Sequence, residues 1–401
     1  MKKRNKPWPH HPMIGKEEIK AVNKVLKSGN LSSFLANPDK ILGGKKIQEL
    51  ERHFRNYHGV KHAISFNSGT SALHAAIIAS GIKPLDEVIT TPYTFTATAS
   101  CILMANAIPV FSDIQQDTFN IDPKKIAERL IIPNSIKAII PVHLFGNPVD
   151  MDEIMEIAKM YNLRVIEDCA QAPGAEYKKK KVGTIGDCAI FSLTETKNIS
   201  SGEGGMLITD NEEIADIARL VRNHGEAIIE QSKHRTYNST ILGYNYRMTE
   251  VDAAIGVEQF KKLDKLNNIR IKLAKFLNEG FKEIPQIKPQ VVRDGNKCVY
   301  NIYSFRLDGN RDKFIQLANK NGIPYSGGYI KPLYYSKIYH ENKPFFYKYY
   351  KGTINYDSGL CPVAEHCYFK EMVITSVVRP PATLSDMKDI ISITKEALID
   401  E

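Results

Sequence analysis

The chain of 401 residues is poor in the features that mark several protein classes. Its six cysteines are scattered, with no Cys-x-x-Cys pair, which argues against a disulfide scaffold and a zinc finger. Gly and Pro together supply about one residue in nine, too few for a collagen-like or low-complexity chain. The one grouping of Cys and His, at Cys361, His366 and Cys367, has poor ligand spacing, so we expect no metal site.

Long apolar runs are also scarce. Residues 88–112 carry no charge, but two prolines and many Ser and Thr make this segment too polar for a membrane span. The first residues are basic and are not followed by an apolar stretch, so we expect no secretory signal. These absences predict a reduced, cytoplasmic enzyme that has no membrane partner.

Acidic residues are outnumbered by basic ones, and the formal net charge is +9. Much of the excess lies in Lys2, Lys3, Arg4 and Lys6 and in the run 178–181. Neither run has aromatic residues interleaved for stacking on bases, and we find no separate helix-turn-helix or basic helix. We interpret the two runs as a solvated arm and a solvated loop, and we expect no nucleic-acid partner.

Apolar segments of strand length alternate with helical segments between residues 62 and 223. The predicted strands are 62–66, 87–90, 108–111, 136–144, 163–166, 188–191 and 206–209. The predicted helices are 71–79, 96–106, 151–161 and 212–223. This alternation predicts an α/β fold in which helices cover both faces of a mostly parallel central sheet.

The pattern changes towards the C-terminus. One long amphipathic helix is predicted over 249–280, with Thr249 and Asp252 in the positions of a capping box. Shorter elements follow, a strand within 300–307 and a helix over 311–321. We therefore predict an N-terminal arm, a large domain and a smaller α+β C-terminal domain. Their predicted bounds are 1–15, 16–262 and 263–401.

The end of the first predicted strand has the composition of an anion site. Ligands bind at the carboxyl ends of the strands in open α/β sheets, so the motifs there carry the most information. Gly69 permits close approach of the backbone, and Thr70 and Ser71 begin a helix whose N-terminus favours a phosphate. The same residues also suit a simple helix N-cap.

Asp168 ends a second apolar strand, where a charge without a partner is costly. A carboxylate there can hold a proton on a pyridine nitrogen and so make the ring a stronger electron sink. Gln171 lies three residues further on and can contact such a ring from the same side. The alternative is that Asp168 only caps the next helix.

Lys197 lies in a polar loop between two apolar strands, and the glycines of 202–205 follow it. A buried lysine loses its proton readily and becomes a nucleophile for carbonyls. Ser192, at the end of the preceding strand, offers a hydroxyl to the same phosphate as Thr70. Taken alone, a lysine after a strand is usually on the surface, but the combination of three such strand ends is far more specific.

Together these motifs make the sequence resemble the DegT/StrS family of sugar aminotransferases, which are fold type I enzymes that use pyridoxal 5′-phosphate (PLP). The resemblance runs from about Pro12 to the C-terminus. The matching segments are 67–74 (NSGTSALH), 86–92 (DEVITTP), 93–98 (YTFTAT), 141–146 (PVHLFG), 167–171 (EDCAQ), 191–192 (FS), 196–198 (TKN), 202–205 (GEGG), 222–225 (RNHG) and 242–249 (LGYNYRMT). The resemblance implies a large PLP-binding domain with a mostly parallel sheet and a smaller C-terminal domain.

Family motifs carried onto this chain imply a set of cofactor-binding residues. They are Gly69, Thr70, Phe95, Asp168, Gln171, Ser192, Lys197 and Asn245. Lys197 would bond the cofactor covalently and transfer protons, and Asp168 would pair with the pyridinium nitrogen. Phe95 would stack on the ring, Gln171 would contact its 3′-oxygen region, and the hydroxyl and glycine positions would bind the phosphate. Asn245 would reach the phosphate of the other subunit, so the resemblance implies a homodimer with its active sites at the interface.

The implied reaction moves an amino group from L-glutamate or L-glutamine to a keto sugar, with a nucleotide-linked sugar favoured. Such enzymes serve aminosugar and surface polysaccharide biosynthesis. Arg247 would neutralise a phosphate or the donor's carboxylate, and Lys331 would meet a substrate phosphate. Lys331 is also consistent with a simple surface lysine.

Two other functions stay open. The segments 327–334 and 361–381 look somewhat like the branches that act on cyclitols or related keto rings, of the scyllo-inosose or 3-amino-5-hydroxybenzoate type. A non-catalytic regulator with this fold is the other alternative, although the presence of Lys197 argues against it. Two departures from the family pattern, the long segment 28–44 and Lys179 in place of a frequent glycine, leave the substrate in doubt more than the cofactor.

Overall fold

The computed structural model describes residues 2–9, 14–34, 41–130, 136–227 and 238–399. The strands are β1 (His62–Phe66), β2 (Glu87–Thr90), β3 (Ile108–Phe111), β4 (Ile136–Ile140), β5 (Arg164–Asp168), β6 (Glu176–Tyr177), β7 (Lys180–Lys181), β8 (Cys188–Ser192), β9 (Gly205–Thr209), β10 (Ile287–Pro289), β11 (Tyr303–Leu307), β12 (Ser326–Gly327) and β13 (Met372–Thr375). The helices are α1 (Lys16–Ser28), α2 (Lys45–His58), α3 (Gly69–Ala79), α4 (Ala97–Met104), α5 (Pro123–Arg129), α6 (Met151–Tyr161), α7 (Glu212–Arg222), α8 (Glu250–Phe260), α9 (Leu263–Phe281), α10 (Arg311–Lys320), α11 (Pro362–His366) and α12 (Leu384–Ile399).

Seven strands form the central sheet in the order β1-β9-β8-β5-β4-β2-β3. Strand β9 is antiparallel to both of its neighbours, and the remaining pairs are parallel. The predicted mostly parallel α/β fold is confirmed. The carboxyl ends of β1, β8, β5, β4 and β2 lie along one edge of this sheet, which is the edge where ligands bind in such folds.

The side chains of each strand point alternately to the two faces of the sheet, and this explains why helices cover both faces. Neighbouring residues of a strand point to opposite faces, and both faces here are apolar. Val88 belongs to the core that α3, α4 and α7 cover, whereas Ile89 belongs to the core beneath α2, α6 and α8. Ala138 and Ile139 of β4 divide in the same way. These strands therefore read as continuous apolar runs in the sequence.

The predicted single helix over 249–280 is wrong, because the chain forms two helices, α8 and α9, that meet at residues 261–262. Val257 of α8 packs in the core beneath the central sheet, whereas Leu277 of α9 packs in the C-terminal core. One straight helix cannot present its apolar face to both cores. Thr249 does cap α8, since its hydroxyl accepts a hydrogen bond from the N–H of Asp252 at 3.2 Å.

The C-terminal part of the chain forms a second, antiparallel sheet in the order β10-β11-β13-β12. Helices α9, α10 and α12 pack on it. This sheet lies inside the segment predicted as the smaller domain, and the boundary at residue 262 stays a prediction. None of the helices in the described ranges is both long enough and apolar enough to cross a bilayer.

The N-terminal arm is only partly solvated as predicted, because Lys2, Lys3 and Lys6 are exposed but Arg4 is buried. Arg4 is buried and forms ion pairs with Asp386 at 2.7 Å and Asp389 at 2.8 Å, both on α12. Its guanidinium also stacks on the ring of Trp8 at 3.9 Å. Arg4 therefore anchors the N-terminus to the C-terminal helix α12. Residues 35–40 of the long segment 28–44 lie outside the described ranges.

Lys178 and Lys179 form the tip of the hairpin between β6 and β7, with φ angles of 46° and 70°. Two central residues in the left-handed region define a type I′ turn, where a side chain costs roughly 1 kcal/mol relative to glycine. We expect Lys179→Gly to raise the free energy of unfolding by about 0.5–1 kcal/mol in urea titrations. Lys180→Gly, in the adjoining strand, is the matched control and should lower it. Equal effects of the two changes would contradict the turn assignment.

Candidate active site

A cavity of about 720 Å³ opens at the carboxyl edge of the central sheet. Residues from the C-terminal part of the chain close its far wall, among them Asn301, Tyr329 and Arg379. Seven of the predicted site residues line it, namely Gly69, Thr70, Phe95, Asp168, Gln171, Ser192 and Lys197. The structure therefore brings these seven residues together at one cavity, and their roles stay predictions.

Lys197 is fixed by the loop that joins β8 to β9. Its N–H donates to the carbonyl of Thr194 at 3.0 Å, and the loop is closed where the N–H of Leu193 donates to the carbonyl of Gly204 at 2.9 Å. The next residue, Asn198, is buried and donates to Asn267 of α9 at 2.8 Å. These bonds hold the lysine at the cavity with little freedom of its backbone.

The surroundings of Lys197 lower its pKa and so raise the share of its neutral amine. Burial lowers the pKa of Lys197 because the ammonium form loses its hydration. The carboxylate of Asp168 opposes this effect without cancelling it. A lysine with a lowered pKa carries more nucleophilic amine at neutral pH than a surface lysine does.

Asp168 stands at the end of β5 and is only 5% exposed. Its carboxylate accepts hydrogen bonds from the hydroxyl of Thr98 at 2.9 Å and from the N–H of Ala170 at 3.1 Å. Burial nevertheless raises the pKa of Asp168, because neither donor carries a full positive charge. The site thus presents a buried carboxyl group that a cationic ring nitrogen would complement.

The start of α3 offers free hydrogen-bond donors to the cavity. Ser68 is the N-cap residue, and its hydroxyl accepts from the N–H of Ser71 at 3.1 Å. The N–H groups of Gly69 and Thr70 have no acceptor within the described ranges. Ser68 therefore caps the helix, while the N–H groups of Gly69 and Thr70 remain available to bind an anion at the helix N-terminus.

Gly69 is required by the close approach of Ser192. A Cβ at residue 69 would lie 2.9 Å from the Ser192 Cβ and 3.2 Å from its Oγ. We expect Gly69→Ala to push the helix start away from Ser192 and to weaken PLP binding by roughly tenfold or more, the cost of one charge-assisted hydrogen bond. Equilibrium titration with PLP measures this effect.

Gly15→Ala, at the N-cap of α1, is the control, because an added Cβ there is crowded only by the flexible end of Glu17, at 3.0 Å. It should leave the affinity for PLP unchanged. If the Gly69→Ala variant bound PLP as tightly as the unchanged chain, the phosphate assignment at this strand end would be wrong.

Gln171 is held on both sides of its amide. Its Oε1 accepts from the N–H of Phe145 at 2.8 Å, and its Nε2 donates to the hydroxyl of Tyr329 at 3.0 Å. Phe95 lies across the cavity and leaves 52% of its surface exposed, unusual for a phenylalanine that follows a buried strand. An exposed aromatic ring beside a cavity is a suitable surface for stacking a planar ligand.

Three predicted residues lie outside the lining of this cavity. Asn245 is exposed, Arg247 donates to the side-chain oxygen of Asn223 at 2.9 Å, and Lys331 lies 4.3 Å from the ring centre of Tyr335. The position of Asn245 agrees with a role in another subunit, which the single chain does not test. The substrate roles of Arg247 and Lys331 stay predictions.

Several lining residues were not singled out from the sequence, namely Thr98, Asn301, Tyr329 and Arg379. Thr98 is on the first turn of α4 and lies four residues after Thr94 in the chain. This helical spacing was the signal in the sequence that the Thr98 side chain faces the strand ends. The other three belong to the C-terminal part of the chain, where no motif placed them near Lys197.

His143, Glu167 and Cys169 lie behind Asp168, with potential ligand atoms within 4.8 Å of one another. The fully buried Glu167 carboxylate accepts from three backbone N–H groups in 183–186 and faces His143 Nε2 at 3.1 Å. Burial alone would raise the pKa of Glu167, but the bond to His143 and these N–H groups lower it overall. We interpret these three residues as structural, because their hydrogen bonds fix the position of the end of β5.

Comparison with known proteins places this geometry in a family. The model of the DegT/DnrJ/EryC1/StrS aminotransferase family matches residues 12–392. GDP-perosamine synthase of Caulobacter vibrioides is 42% identical over 286 residues, covering 70% of this chain and 75% of that protein. A putative L-glutamine:3-amino-2,3-dideoxy-scyllo-inosose aminotransferase of Micromonospora echinospora is 32% identical, covering 97% of this chain and 94% of that one.

A solved structure extends the likeness to three dimensions. Helicobacter pylori PseC, an aminotransferase involved in the biosynthesis of pseudoaminic acid, superposes with a TM-score of 0.83 at 26% identity. The match covers 99% of this chain and 100% of that one. The chain belongs to the DegT/DnrJ/EryC1/StrS aminotransferase family and is a PLP-dependent transaminase of fold type I.

Proposed function

We propose that this chain binds PLP through Lys197 and transfers an amino group from L-glutamate or L-glutamine to a nucleotide-linked keto sugar. The observation that carries the proposal is the convergence of Lys197, Asp168 and the free N–H groups of Gly69 and Thr70 on one cavity. These groups match the reactive carbon, the ring nitrogen and the phosphate of the cofactor. When bound, PLP supplies the electron sink that stabilises negative charge at the substrate carbon.

The residues of the cavity have separate proposed roles in binding the cofactor and in proton transfer. The Nζ of Lys197, whose pKa is lowered by burial, would bond the cofactor and would move a proton between the substrate carbon and the cofactor in each half of the reaction. Asp168 keeps the ring nitrogen positively charged. Phe95 and Gln171 orient the ring, and Thr98 orients the Asp168 carboxylate.

The proposed acceptor rests on the relatives and on the size of the cavity. Relatives of this chain are named for nucleotide-linked amino sugars, and a cavity of about 720 Å³ is within the range for a small-molecule site. The positive net charge favours an anionic substrate. We propose a role in aminosugar and surface polysaccharide biosynthesis in the cytoplasm.

A keto cyclitol is the second candidate acceptor. The relative named for a scyllo-inosose substrate matches nearly the whole chain, including the C-terminal wall of the cavity. A cyclitol ring lacks the nucleotide, so it would leave part of the cavity to water.

We also propose a homodimer in which Asn245 of each subunit reaches the cofactor phosphate of the other. The exposure of Asn245, outside the cavity of its own chain, supports this assignment. Light scattering on the PLP-loaded protein measures the mass, and a value near that of one chain would contradict it.

An acceptor panel tests the proposed function. The PLP-loaded protein is incubated with L-glutamate or L-glutamine and, separately, with a UDP-linked 4-keto-6-deoxyhexose, a GDP-linked 4-keto-6-deoxyhexose and scyllo-inosose. Mass spectrometry should detect an aminated nucleotide sugar that the Lys197→Ala variant does not form. Amination of scyllo-inosose alone would support the cyclitol alternative, and the absence of transfer to every acceptor would contradict both.

A further inference from the structure

Arg379 is a cavity residue without a role in the proposed cofactor site. It follows β13 and lines the same cavity as Lys197 and the start of α3. Its guanidinium has no hydrogen-bond or ion-pair partner within the described ranges. The charge of Glu195, an exposed residue in the Lys197 loop, acts on Arg379 but forms no ion pair with it.

A second arginine increases the positive charge behind this wall. Arg270 of α9 is 1% exposed, and its Nη1 donates to the carbonyls of Tyr300 and Asn301 at 3.3 and 3.4 Å. Its Nε and Nη2 have no hydrogen-bond partner in the described part of the chain. Burial, together with the charge of Arg379, lowers the pKa of Arg270 to about 9.

The guanidinium groups of Arg270 and Arg379 repel each other, and none of the ion pairs in the described ranges joins either of them to a carboxylate. Buried charges are normally paired, because an unpaired charge loses its hydration without compensation. Structures retain such an arrangement where a ligand supplies the missing negative charge. The planar guanidinium is well suited to this, since it can bind two oxygens of a carboxylate or phosphate together.

We propose that Arg379, backed by the charge of Arg270, is the anion-binding residue of the substrate cavity and holds carboxylate or phosphate oxygens of the substrate. The inference rests on the proposed function, because it assigns the start of α3 to the cofactor phosphate and thereby leaves Arg379 for the anion of the substrate. Two sources share this chemistry, the carboxylate of the amino donor and the diphosphate of a nucleotide-linked acceptor.

Two binding measurements on the PLP-loaded protein separate these sources. The first follows the loss of the visible band of bound cofactor on addition of L-glutamate, which yields an apparent Kd for the donor and a limiting rate. The second is calorimetric titration with UDP, which needs no turnover. Arg379→Gln is compared with Arg379→Lys and with Lys320→Gln, which removes one exposed charge from α10.

We expect Arg379→Gln to weaken binding of at least one probe by about 10- to 100-fold, the range for a lost hydrogen bond to a charged group. Arg379→Lys should recover part of the loss, and Lys320→Gln should change neither probe. Weaker binding of L-glutamate identifies the donor carboxylate, and weaker binding of UDP identifies the diphosphate. Where the glutamine variant does not fold, the lysine variant is measured in its place.

The failures of the two proposals are distinguishable. Changes below about twofold for both probes, in variants that retain the band of bound cofactor, would overturn the role of Arg379 and leave the transaminase proposal intact. The absence of that band from the unchanged chain would instead contradict the role of Lys197, and UDP binding would still test Arg379.

Discussion

Replacing Lys197 with alanine is expected to lower the transamination rate by about 10⁴-fold, the largest effect that we predict. The change removes both the amine that bonds the cofactor and the group that transfers the proton. Single-turnover measurements with L-glutamate are the suitable readout, because they isolate the donor half of the reaction. PLP should still bind through its phosphate and ring contacts, though without the covalent bond.

The matched control is Lys180→Ala, which removes an exposed lysine from the hairpin outside the cavity. It should retain the rate of the unchanged chain. Lys197→Arg is informative as well, since it keeps a positive charge in the cavity but has no amine that can bond the cofactor. Recovery of activity in the arginine variant would show that Lys197 acts only through its charge, which would contradict the account.

The Asp168→Asn variant is expected to lower the same rate by roughly 10²–10³-fold. The amide cannot keep the ring nitrogen protonated by its charge, and loss of one partner of a buried ion pair costs about 3–5 kcal/mol. The asparagine oxygen can still accept from the N–H of Ala170, and the asparagine NH2 group can donate to the Thr98 hydroxyl. The side chain should therefore keep its orientation, and the cofactor should remain bound. The rate should therefore fall much further than the affinity for PLP.

Asp294→Asn, at an exposed loop position, is the control for removal of one carboxylate. It should match the unchanged chain in rate and in PLP affinity. A rate for Asp168→Asn within about threefold of the unchanged chain would contradict a charge interaction between Asp168 and the cofactor ring.

Most of the central sheet could be predicted from the sequence because its strands are apolar on both faces. Strands β1, β2 and β3 have the predicted bounds, since each is a short apolar run with polar turns on either side. The helical pair α8 and α9 could not be separated in this way. Apolar spacing along the chain does not reveal that Val257 and Leu277 belong to different cores.

The residues of the candidate site also fall into two groups, those that the sequence could predict and those that it could not. Asp168 and Ser192 end apolar strands, and Lys197 lies in the loop that follows one of them. Their position at one edge of the sheet therefore follows from the topology. Arg379 comes from a segment more than 180 residues after Lys197 in the chain, and only the packing of the second sheet brings it to the cavity. The local sequence around a residue from such a distant segment does not predict its role in the site.

The role of Lys197 is the central claim, and the visible absorption of the purified protein with PLP tests it most directly. The account predicts a band of covalently bound cofactor that disappears on addition of L-glutamate or L-glutamine. Borohydride treatment before that addition should leave a cofactor mass on the peptide that contains Lys197. If no band formed, or if Lys197→Ala gave the same band and the same labelled peptide, the catalytic assignment would be wrong and a ligand-binding regulator would become the better account.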